Sequence, residues 1–130
     1  MNVKVKGRAF ELEMYNELKK TIPSIRLSKW SGVTSDEPAD LFGKHVLIET
    51  KFVKDYNDNE IKKWFKETQD NCNINQVAVL IVKQNYRGIK TFFHSKDLGL
   101  DISDIVMVYW PSGKFVIKML EEKDDRKSNS

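Results

Sequence analysis

Phe10, then Met14 or Tyr15, then Leu18 recur at three- and four-residue spacing, which predicts a helix over residues 7–20 with one buried face. Lys19 and Lys20 suit its C-terminal end, and Pro23 stops it. Residues 26–30 read as a short strand, and 31–38 as a polar loop in which Gly32, Ser35 and Asp36 are turn formers. Residues 39–42 and the apolar run 45–52 form the arms of a hairpin, with the turn expected at Gly43-Lys44 and Gly43 supplying its backbone freedom.

A polar loop then leads to Asn59 as the N-cap of a second helix ending near Cys72, with Ile61, Trp64, Phe65 and Thr68 on one side. The nearly continuous aliphatic run 77–83 predicts a strand covered on both faces. Residues 89–94 and 105–110 read as further strands, and Pro111-Ser112-Gly113 as a turn into a last strand over 114–120. Beyond Leu120 no bulky apolar residue remains, so 121–130 are expected to be a frayed polar tail. Helix, strands, helix, strands imply an α/β chain with a central mixed β-sheet flanked by helices.

The chain has 130 residues, enough for one core, taken as residues 1–120. Its apolar runs fall far short of the roughly 20 residues that span a bilayer, and no signal-peptide core follows Lys4, Lys6 and Arg8. One cysteine excludes an internal disulfide and a CxxC zinc pattern. A cytoplasmic protein without a membrane partner is expected. The net charge of +3 includes −1 from the tail, leaving +4 on residues 1–120, which permits a polyanionic partner without requiring one.

Candidate chemistry gathers around the hairpin. Glu49 and Lys51 are two residues apart on an apparent strand and project from one face, beside Val46, Leu47, Ile48 and Phe52. Charges on so apolar a strand are costly unless paired, placed in a cleft or bound to a metal. Asp40 precedes Glu49 by nine residues, and a tight hairpin brings the two carboxylates together. A hard divalent cation resolves their repulsion; Mg2+ suits one or two carboxylates completed by water and phosphate oxygens. Glu11, on the first helix, is the candidate third acid, with Glu13 its competitor because the two point to different sides. Such a set fits phosphodiester hydrolysis, with Lys51 acting on the attacking water and on the charge of the transition state.

Pro38-Ala39-Asp40 followed by Glu49-Thr50-Lys51 resembles the signature of the PD-(D/E)XK nuclease superfamily, with Ala39 splitting the proline–aspartate pair. Gly7-Arg8-Ala9-Phe10-Glu11 resembles the opening helix of its archaeal and phage Holliday junction resolvases, although the Asp40–Glu49 interval is shorter than in the archaeal ones. The loop Ser31-Gly32, and residues 64–69 followed by 78–83, extend the resemblance over roughly 7–85. It implies a restriction-endonuclease-like core in which Asp40, Glu49 and the Thr50 carbonyl hold Mg2+, with Mn2+ a substitute. It also implies Glu11 acting through water, Lys51 on the nucleophilic water, Ser31 beside the scissile phosphate and Gln69 bordering the site. The implied activity is endonucleolytic cleavage of DNA, with a branched junction as substrate and a homodimer supplying two sites.

Rival readings are a restriction- or repair-type nuclease on linear or single-stranded DNA, and a non-catalytic DNA-binding or assembly module on the same fold. His45, His94 and Cys72 carry no ligand or nucleophile pattern and read as structural. Tryptophans in a small domain usually fill the core; Trp30, at a loop entrance, is the one candidate for stacking on a base. Lys62-Lys63 and the Lys4, Lys6, Arg8 group are either phosphate contacts or ordinary surface. The C-terminal strands, including Val108 and Trp110, are a candidate dimer surface.

Overall fold

A computed structural model describes residues 3–28 and 40–127, with side chains from Lys6 to Ser28 and from Asp40 to Lys123. The expectations for Ser31 and Trp30, and the loop 31–38, lie outside the described residues. The elements are α1 (Val3–Lys19), β1 (Arg26–Leu27), β2 (Leu41–Phe42), β3 (Val46–Val53), α2 (Asp58–Asn71), β4 (Val77–Gln84), β5 (Ile89–His94), β6 (Ile105–Tyr109) and α3 (Ser112–Lys127), with a single 3-10 turn at Ser95–Leu98.

Six strands form one mixed sheet in chain order. All neighbours pair antiparallel except β3 and β4, which run parallel with Val46 beside Val77 and α2 as the crossover. The aliphatic run of β4 is covered on both faces, as expected. Val79 and Ile81 pack with Phe10, Met14 and Leu18 of α1 and Ile117 and Leu120 of α3; Ala78, Leu80 and Val82 pack with Ile61 and Phe65 of α2. The result is an α/β three-layer arrangement, α1 and α3 on one face and α2 on the other. Among the described residues no helix is long and apolar enough to cross a membrane.

Three local expectations are corrected. Residues 114–120 are part of α3 rather than a strand, because Gly113, Ile117, Leu120 and Glu121 share a buried helical face. The same helix carries Glu121, expected to open a polar tail, to a buried position, and it continues to Lys127. The N-cap of α2 is Asn57, not Asn59. Asn57 accepts from the Glu60 amide at 2.9 Å while Glu60 accepts from the Asn57 amide at 3.2 Å, a reciprocal pair that Lys62, three residues after Asn59, cannot make.

Val108 and Trp110 are half-buried against the core; the exposed apolar residues of that edge are Met107 and Tyr109.

Candidate active site

The site begins with the β2–β3 hairpin. Phe42 pairs with Leu47, and Gly43 N–H donates to Val46 O at 2.9 Å, so the turn residues are Lys44 and His45 rather than Gly43 and Lys44. Gly43 serves by lacking a side chain: a Cβ there would land on the Glu121 carboxylate. Leu41 pairs with Ile48, and Asp40, one residue before β2, donates its N–H to the O of that same Ile48 at 3.2 Å, so the regular ladder ends there and Asp40 stands beside the Glu49–Thr50 stretch of β3.

Asp40 is fixed by its neighbour on β3. Its Oδ2 accepts from Thr50 N–H at 2.8 Å and from Thr50 Oγ1 at 2.7 Å. Odd-numbered β3 residues face α2, which carries Glu49 and Lys51 to one side of the strand. Lys51 Nζ lies 3.7 Å from Glu49 Oε1 and 5.5 Å from the centre of the Trp64 ring, so a residue of α2 holds the ammonium beside the carboxylate. Burial pushes the Glu49 carboxyl up to about 7; the charges of Asp40 and Glu11 add to the rise and Lys51 opposes it.

Of the two candidate acids on α1, Glu13 is exposed and Glu11 is buried, 4% accessible, with Arg8 Nη1 3.3 Å from its Oε2. Glu11 is thus one of the charges felt at Glu49. Gln69 is exposed on α2, and no described contact joins its side chain to Asp40, Glu49 or Lys51. Cys72 donates to Thr68 O at 3.5 Å and burial pushes its thiol up to about 11, which agrees with a packing role.

Among the described residues no group of three or more His, Cys, Asp or Glu is spaced to hold a metal ion unaided. What the hairpin offers is a carboxylate pair, with the Thr50 backbone on the open side of β3 beyond the start of β2. That donor set fits a hard cation that completes its shell with water and phosphate oxygens. Burial first, then the charge of Asp40 and, least, that of Glu11 disfavour ionisation of Glu49, and a bound cation would offset that cost. A cavity of about 550 Å3, lined by Tyr56, Ile61, Lys90, Phe92 and Met107, lies on the other flank of α2 and includes none of these acids.

Sequence reasoning missed the support behind the hairpin: Glu121, Ser24 and the backbone of the Lys44–His45 turn. The helical spacing of Ile117, Leu120 and Glu121 was the available signal. Compared with known proteins, the chain matches no family model, no curated protein and no solved structure.

Proposed function

We propose that this protein is a Mg2+-dependent DNA endonuclease, with a four-way junction as its substrate and a homodimer as its working form. The observation that carries the reading is the Asp40 carboxylate bound to Thr50, next to Glu49, with Lys51 beside Glu49 and the charges of Asp40 and Glu11 both opposing its ionisation. Asp40, Glu49 and the Thr50 carbonyl would hold the ion. When bound, Mg2+ would polarise the scissile phosphate and bring the pKa of water toward neutrality.

The chain's own groups supply the rest. Thr50 holds the Asp40 carboxylate in one orientation through two hydrogen bonds. Trp64 limits the positions open to the Lys51 ammonium, which orients the attacking water and offsets charge developing on the phosphoryl oxygens. Glu11 adds negative potential from α1, the least of the causes that raise Glu49, and would contact a bound cation through water. Resolving a junction takes two cuts, and two copies of a one-site chain related by a two-fold axis supply them.

Purified protein is incubated with labelled four-way junction, linear duplex and single-stranded DNA, with Mg2+, Mn2+ or EDTA, beside Glu49→Ala. Paired nicks on the junction in either metal, absent with EDTA and in the variant, are expected. Cutting of linear or single-stranded DNA instead assigns a restriction- or repair-type substrate. Binding without cutting in every metal rejects catalysis and leaves a DNA-binding module.

A further inference from the structure

Glu121 is a buried anion that the chemistry above does not use. It sits on α3 at 3% exposure, and among the described residues no cation lies within ion-pair distance of it. Its carboxylate is taken up by hydrogen bonds alone. Oε2 accepts from the Lys44 amide and Oε1 from the His45 amide, each at 2.8 Å, and the Ser24 hydroxyl donates to Oε2. The backbone is engaged as well, with His45 Nδ1 2.7 Å from the Glu121 carbonyl.

An apolar residue at this helical position would be buried without the cost of desolvating a charge, so packing does not explain a carboxylate here. Its geometry does. Both turn amides of the β2–β3 hairpin point at one carboxylate, a fork that accepts two parallel N–H groups in one arrangement of the turn. Gly43 leaves the space this requires, since a Cβ at that residue would overlap Glu121 Cδ and both oxygens. The turn in turn sets the register. A one-residue slip would move Asp40 away from Glu49 and point the side chains of the strand to the wrong faces.

We infer that Glu121 is a positioning residue for the Asp40–Glu49 site: its carboxylate locks the Lys44–His45 turn, which holds Asp40 on Thr50 and beside Glu49. The link runs from α3 through the turn and two residues of β2. It rests on the nuclease reading for the site's meaning, while the lock itself is a matter of geometry.

The test uses the full chain as Glu121→Gln, Gly43→Ala, Glu121→Ala and Gly43→Ala/Glu121→Ala, with Ser24→Ala as a mild variant that removes one donor. Three readouts are taken: the Thr50 amide resonance, which reports its bond to Asp40; Mn2+ affinity by calorimetry; and kcat against KM on whichever DNA is cut. Glu121→Gln keeps the shape but presents an NH2 to one of the two amides. It is expected to move the Thr50 resonance and to lower Mn2+ affinity and kcat by on the order of tenfold, with KM within about twofold of wild type. Gly43→Ala displaces the carboxylate and is expected to do the same. In the Glu121→Ala background, Gly43→Ala is expected to cost nothing further, because the clash has gone.

The inference is overturned if the Lys44 and His45 resonances move while Thr50 and Mn2+ affinity stay at wild-type values, or if the two substitutions act independently. Should Glu121→Gln fail to fold, Ser24→Ala is read by the same three measures. If wild type cuts no DNA in any metal, the nuclease reading falls, and the Thr50 resonance and Mn2+ affinity still decide the role of Glu121.

Discussion

Glu49 occupies a place where its charge is unfavourable, and that has a consequence for the metal-free protein. Below its ordinary pKa of 4.5 the carboxyl is protonated in folded and unfolded chains alike; as pH rises toward about 7 the unfolded chain releases its proton first, and the folded state loses stability. In EDTA, the melting temperature is therefore expected to fall between pH 5 and pH 7.5 by more in wild type than in Glu49→Gln. At pH 8 Glu49→Gln should melt higher than wild type; a lower melting temperature would show that the ionised group is not a burden. Lys51 opposes the rise of Glu49, so Lys51→Met should carry the midpoint of the Glu49 titration above 7, read by carboxyl NMR. That Glu49 and Lys51 share one face of β3 was legible because side chains alternate along a strand. The choice between Glu11 and Glu13 was not, since the sequence left both open and only the packing of α1 buries Glu11 and exposes Glu13. Nor was the Lys51–Trp64 contact, since nothing local ties β3 to a residue thirteen positions later on α2.

Among elements, the strands β3 and β4 and the helix α2 between them were legible from apolar runs and one amphipathic helix. Their parallel pairing was not, because it depends on contacts between runs as distant in sequence as Val46 and Val77. Nor was α3. Its Phe115-Val116-Ile117 run favours a strand by side-chain type, and tertiary packing against α1 and β6 overrode that preference. Gly113 marks where the helix meets the sheet: a Cβ there would overlap the Thr91 side chain, whose Oγ1 donates to Val108 O at 2.6 Å. Gly113→Ala should thus be strongly destabilising, by roughly 1–3 kcal/mol as for other overpacked sites, measured by urea unfolding. Gly88→Ala, where a Cβ meets open space, is the control and should change stability by about 0.5 kcal/mol or less. Equal effects at the two glycines would contradict the docking of α3 described here.

For the molecule as a whole, the two apolar layers meet at β4, whose residues Ala78, Val79, Leu80, Ile81 and Val82 are all buried. Amide exchange of those five residues should be slowest and should require global unfolding, whereas the two-residue edge strand β1 should exchange through local opening. Faster exchange in β4 than in β1 would refute a core centred there. The lock on the hairpin adds an order in time. His45 and the carboxylate that receives its amide are 76 positions apart, so a ribosome has made the acids and the ammonium long before it makes their brace. A growing chain carries Asp40, Glu49 and Lys51 without the contact that fixes their hairpin turn. Synthesis of α3 is the step that completes the turn, and a chain interrupted before residue 121 would be released with the acids present and their turn unbraced.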